Sequence, residues 1–215
     1  MAQLINLIKT YTNNQTFTSE TLNIFERQLY NLKLTINVDE LDISDEWKYI
    51  LKGYYNLLNN DIHLMLENYK KSAELNNTLA LYYLGLEYYE ENNPNKSMMY
   101  FKKGFSKNCP LSSYMLSKIY HNKRDYQESY KYTKFCIENT EPNALYLYSY
   151  YNNYDLINES SKYIASRALI MGINKNYIEC YKELIENYNN YNLTYELLEQ
   201  ININNNDIKN IKSKF

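Results

Sequence analysis

The sequence predicts an all-α chain, a right-handed α-solenoid of antiparallel helix pairs that repeat about every thirty-two residues. Small residues recur at that step, as Gly53, Gly85, Ser117 and Ser149 in one column and as Ser72, Gly104, Cys136 and Ala168 in a second. A third column, Ala73, Phe105, Ile137 and Leu169, is apolar throughout, and Lys70, Lys102 and Lys134 share a charge in the same ungapped register. Within one period, two runs of helical spacing flank a short polar break. A fixed period of this kind means that one supersecondary unit has been copied and stacked, because a single copy cannot bury its apolar face.

In chain order, Leu4, Leu7, Ile8 and Tyr11 have the spacing of a short helix. Thr18 and Ser19 then cap a second helix that carries Leu22, Phe25, Leu29 and Leu32. Residues 33–44 lack a helical period and read as an irregular connector, so 1–44 form a helical cap over the first repeat. Four repeats follow over 45–173. In the second, Leu81, Leu84, Gly85 and Tyr88 sit at i, i+3, i+4 and i+7 and define helix A. Asn92, Asn93, Pro94 and Asn95 break the pattern, and Met98, Phe101, Gly104 and Phe105 resume it as helix B. So short a break forces the two helices antiparallel. Pro110 and Pro142 open the third and fourth repeats, since proline is tolerated in a first helical turn. Residues 174–203 carry Tyr177, Cys180, Tyr181, Leu184, Leu193, Leu197 and Leu198 and read as a degenerate fifth repeat or C-terminal cap. The polar end, 204–215, with Lys209, Lys212 and Lys214, is expected to fray.

The small columns have a mechanical reading. Where two helices cross closely, a side chain larger than Ser or Cys holds the backbones apart, so Gly85 and Gly104 mark crossings and Cys136 is a small buried interface residue.

The residues Leu81, Leu84, Gly85, Tyr88, Ser97, Phe101 and Gly104, with Leu116, Ser117, Tyr120, Ser129 and Cys136 one period later, resemble the tetratricopeptide repeat. The phrases YYLGLEYY and YFKKGF, after NYKKSAELNN, also resemble the related Sel-like repeat, whose longer glycine-containing loop is missing here. The first repeat departs from the pattern at Lys52 and Asn56, and the fourth at Tyr148 and Asn152. The resemblance implies a concave groove lined by helix A. Its places fall on Trp47, Ile50, Tyr54 and Leu57, then on Leu79, Tyr82, Leu86 and Tyr89. In the third repeat they fall on Leu111, Tyr114, Lys118 and His121, and in the fourth on Asn143, Tyr146, Tyr150 and Asn153. One place is tyrosine in three consecutive repeats, at Tyr82, Tyr114 and Tyr146. Large amphipathic rings of this kind suit peptide recognition.

Composition narrows the function. A net charge of -2 and a pI near 5.8 leave no overall basic footprint for nucleic acid. The 27 Tyr and abundant Asn beside only 4 Gly follow adenine- and thymine-rich codons, as in a large DNA virus or another organism with such a genome, so part of the Tyr and Asn excess reads as base composition. Cys109, Cys136 and Cys180 lack ligand spacing, and His63 and His121 have no partner at a metal-binding step. Neither a nucleophile elbow nor a phosphate-binding glycine loop is present. The acidic group Asp39, Glu40, Asp42, Asp45 and Glu46 reads as support for the next helix N-terminus. The glycosylation triplets at Asn14, Asn77, Asn158 and Asn192 read as accidents of an Asn-rich chain. There is no signal-peptide pattern, and the apolar stretch Leu79–Leu86 is far shorter than the ~20 residues of a spanning helix.

These readings converge on a soluble, cytoplasmic interaction protein without cofactor or catalytic site, located in the host cytoplasm if its source is viral. Its partner is a protein or peptide held in the helix A groove. Two alternatives stand beside it. One is nucleic-acid binding through stacked tyrosines with Lys70, Lys102, Lys103, Lys134 and the C-terminal lysines on phosphates. The other is end-to-end self-assembly of the stack.

Overall fold

The computed structural model describes residues 2–14, 17–32, 37–158, 160–191, 193–194 and 198–201. Among them, every regular element is helical. Two helices, α1 (Ala2–Asn14) and α2 (Ser19–Asn31), precede the repeats. Four consecutive pairs follow: α3 (Asp45–Leu58) with α4 (Ile62–Glu74), α5 (Thr78–Glu90) with α6 (Pro94–Phe105), α7 (Pro110–Asn122) with α8 (Tyr126–Glu138), and α9 (Ala144–Asn153) with α10 (Lys162–Asn174). A last helix, α11 (Ile178–Asn187), ends in a 3-10 turn at Tyr188–Asn190. Leu197 and the tail 204–215, with its three lysines, lie outside the described residues.

The helix ends explain why so regular a stack needs so few glycines. Asn60, Asn76, Asn92, Asn108, Arg124 and Thr140 all have positive φ, between 54° and 69°, and they recur every sixteen residues. Each is the left-handed residue just past a helix, where asparagine is the best substitute for glycine. The residue after each one donates its N–H five residues back, as Asp61 to Asn56, Asn77 to Ser72, Asn93 to Tyr88, Cys109 to Gly104, Asp125 to Tyr120 and Glu141 to Cys136. These are Schellman closures that satisfy otherwise orphaned carbonyls. In four corners the same residue then caps the next helix. Asp61, Asn77, Asn93 and Asp125 accept backbone N–H bonds from Leu64, from Leu79 and Ala80, from Lys96 and from Glu128.

The prolines depart from this rhythm in part. Pro110 opens α7, and Pro94, read from sequence as part of a breaker, is the first residue of α6. Pro142 does not open α9, which begins at Ala144. A tight turn intervenes, in which Ala144 and Leu145 donate to the Glu141 and Pro142 carbonyls. The connector also contains a 3-10 turn at Val38–Glu40. Its acidic residues divide: Asp45 and Glu46 lie in the first turn of α3, whereas Asp39 pairs with Lys52 at 2.6 Å and Asp42 with Lys9 at 3.0 Å.

The chain forms two compact units, Met1–Leu116 and Ser117–Phe215, with the division inside α7. The core of the N-terminal unit runs from Leu4, Ile8 and Phe25 through Trp47, Ile50 and Tyr69 to Leu79, Leu84 and Leu111. That of the C-terminal unit gathers Leu145, Leu169, Ile173, Cys180, Leu184, Tyr191 and Leu198.

Several members of the small columns sit where helices pack closely. A Cβ on Gly53 would overlap the Tyr69 ring, one on Gly85 the Phe101 ring, and one on Gly104 the Ser112 side chain. In the last pair the crossing is closed by a hydrogen bond, Ser149 Oγ donating to the Ala165 carbonyl at 2.9 Å. Cys136 is buried, as are Cys109 and Cys180, and burial pushes the Cys180 thiol up to about 12.

Candidate functional site

The groove places divide into covered and open positions. In the first pair, Trp47 lies 5.6 Å from Phe17 and 5.8 Å from Phe25, so the cap helices cover it, and Ile50 and Tyr54 are buried beside it. Leu79 and Leu111 are core residues as well. Tyr82 and Leu86 are half-buried and Tyr89 is exposed; Tyr114, Lys118, His121, Tyr146 and Tyr150 are half-buried. Of the remaining places, Leu57 is exposed, Asn143 half-buried and Asn153 buried. The column lysines Lys70, Lys102 and Lys134, with Lys103, are exposed on the B helices.

In the N-terminal unit, Tyr82 packs against Tyr83 and Phe101, with centroids 5.9 and 6.3 Å away. Tyr83 stacks on Tyr69 at 5.0 Å and donates its hydroxyl to Glu26 of α2 at 2.7 Å, which ties the cap to the second repeat. A cleft of about 160 Å³ opens between the cap and the first pair, lined by Tyr11, Phe17, Glu46, Trp47, Asn77 and Thr78.

The C-terminal unit holds an extended aromatic assembly. His121, on the last turn of α7, is surrounded by Tyr126 at 5.7 Å, Tyr150 at 5.5 Å and Tyr151 at 5.6 Å. Tyr150 in turn contacts Tyr146 at 6.0 Å and Tyr154 at 4.7 Å. Helices α7, α8 and α9 each contribute, because the sixteen-residue corners bring successive helices back alongside one another.

Beneath these rings runs a buried chain of polar contacts. Ser129 Oγ lies 2.5 Å from the Ser117 carbonyl and 2.6 Å from the Tyr151 hydroxyl, which is 2.9 Å from His121 Nδ1. On the other side, the Glu183 carboxylate accepts from Tyr154 at 3.0 Å and from Tyr191 at 2.9 Å. Burial lowers the His121 pKa below its usual value. Burial, with the Glu183 charge second, pushes Tyr146 up to about 12.

Sequence reasoning missed Tyr126, Tyr151, Tyr154 and Glu183. Tyr151 falls in a column with Tyr55, Glu87 and Ile119, and Tyr154 in one with Leu58, Glu90 and Asn122, so the period from which the groove places were read gave neither any mark. Among the described residues, no group of three or more His, Cys, Asp or Glu side chains could hold a metal ion. No helix among them is long and apolar enough to cross a membrane.

The fold is that of a helical-repeat protein. The chain is similar in structure to a Sel1 repeat protein from Oxalobacter formigenes, with a TM-score of 0.61 and 20% identity over 81% of this chain and 80% of that one. No family model matches the sequence, and no curated protein matches it.

Proposed function

We propose that this protein is a non-catalytic interaction adaptor that holds a partner protein segment against the helix A surface of its repeats. The supporting observation is the partly open aromatic assembly of His121, Tyr126, Tyr146 and Tyr150. Rings that retain a polar tip while offering apolar area supply much of the binding energy in protein interfaces. In the N-terminal unit, Leu57, Tyr82, Leu86, Tyr89 and Tyr114 are the remaining open groove places.

The test is affinity capture from a matched cell lysate with the native chain and with a Tyr146→Ala, Tyr150→Ala variant shown by circular dichroism to keep its helicity. A protein band present with the native chain and lost with the variant supports the proposal. The same set of bands from both would remove the binding surface from these residues.

A further inference from the structure

Proton bookkeeping along the buried chain fixes the state of His121. Two oxygens 2.5 Å apart need a proton between them, and the Ser117 carbonyl has none to give, so Ser129 donates to it. The Ser129 proton is then spent, and the 2.6 Å contact with Tyr151 requires the phenol to donate to Ser129 Oγ. With the phenol proton spent too, the 2.9 Å contact to His121 requires an N–H at Nδ1. The neutral imidazole then carries its lone pair on Nε2, at a half-buried position beside the rings of Tyr126 and Tyr150.

The surroundings select what meets that lone pair. Tyrosine faces attract cations through their quadrupole. Of the two flanking rings, Tyr150 is raised by burial first, with Tyr126 and the Glu183 charge adding to it, and burial followed by Glu183 also raises its neighbour Tyr146. The Glu183 charge, unlike the burial, favours an arriving cation. A planar guanidinium can donate to Nε2 while lying on a ring, which a tetrahedral ammonium does less well.

We propose that the His121 Nε2 acceptor, flanked by Tyr126 and Tyr150, is a subsite for an arginine side chain of the partner protein. This rests on the adaptor reading and names the chemistry of one of its anchors. Lys118, one turn earlier on α7, is the cation on the same helix; Tyr126 faces His121 from α8, and Tyr150 and Tyr151 face it from α9.

The experiment records the imidazole nitrogen resonances of His121 in the full chain by NMR at slightly alkaline pH. Acetyl-Gly-Arg-Gly-amide is then titrated in, with the Gln and Lys counterparts as comparators. The expected result is a protonated Nδ1, a bare Nε2 whose resonance moves with the Arg probe, and binding about tenfold tighter than the Gln probe. A proton on Nε2 in the native chain overturns the subsite but leaves the adaptor reading standing, because lysate capture does not depend on the tautomer. Equal response to Arg and Gln probes overturns the choice of arginine, as does a stronger response to Lys. Tyr151→Phe keeps the Ser129–Ser117 bond and should release His121 to carry its proton on Nε2, abolishing the preference. Ser129→Ala should do the same, by freeing Tyr151 to donate to Nδ1. Retention of the native tautomer in both variants would refute the relay.

Discussion

Gly85 of α5 lies so close beneath the Phe101 ring of α6 that a Cβ would overlap the ring edge. The same relation joins Gly53 to Tyr69, sixteen residues apart in each case. A constraint that recurs in the stack is therefore a glycine that faces an aromatic ring across one corner.

Gly85→Ala is expected to destabilise the chain by about 1–2 kcal/mol. Overpacking costs roughly 1–3 kcal/mol and outweighs the gain of up to about 1 kcal/mol in helix propensity. Urea unfolding measures the loss. Adding Phe101→Leu should return part of it, because the smaller side chain vacates the space that the new methyl needs.

Arg124 holds a positive φ of 61° at a corner where the four preceding positions in the series, Asn60, Asn76, Asn92 and Asn108, are all asparagine. Arg124→Gly should stabilise the protein by on the order of 1 kcal/mol by removing the Cβ penalty of the left-handed conformation. Asn92→Ala should lose a comparable amount. Paired thermal melts of the two variants read both signs.

Trp47 is the chain's only tryptophan, and it is buried between Phe17 and Phe25. Deleting residues 1–32 should shift its fluorescence to the red and open it to aqueous quenchers. An unchanged spectrum would mean that something other than the cap shields this ring. Tyr83→Phe, which removes the bond to Glu26, should cost about 1–2 kcal/mol in the full chain.

Acidification should weaken the fold through His121. Burial lowers its pKa in the folded chain, so the unfolded chain binds more protons as pH falls through the ordinary histidine value of about 6.5. That contribution is absent well above this pH and grows as the pH drops toward the folded pKa. Glu87, whose pKa is raised by burial first and by Glu90 second, acts in the opposite sense nearer the carboxylate range. The stability difference between native and His121→Gln chains, followed from about pH 7.5 to about pH 5, isolates the histidine and should narrow on acidification.

Much of the fold was legible because its period is written in residue size. Gly53 and Gly85 are conspicuous beside bulky neighbours, and each lies against an aromatic ring of the next helix. The corners were equally present, as Asn60, Asn76, Asn92 and Asn108, but at half the period, and an Asn-rich composition hid them. The start of α9 was misplaced because Pro142 sits in a turn that imitates a helical opening. The site was less legible. Covering of Trp47 by Phe17 and Phe25 depends on contacts far apart in sequence. Tyr151 acquires its role only when α8 brings Ser129 to its hydroxyl. Such convergences belong to no column.

The sixteen-residue corners also bear on how the molecule comes apart. Each corner satisfies its own backbone groups with residues a few positions away, so no corner relies on a distant one to remain closed. Damage at one should therefore loosen the adjoining pair without dissolving the rest. Hydrogen exchange would then read a gradient of protection along the chain, in the manner of a linear array whose links yield one at a time.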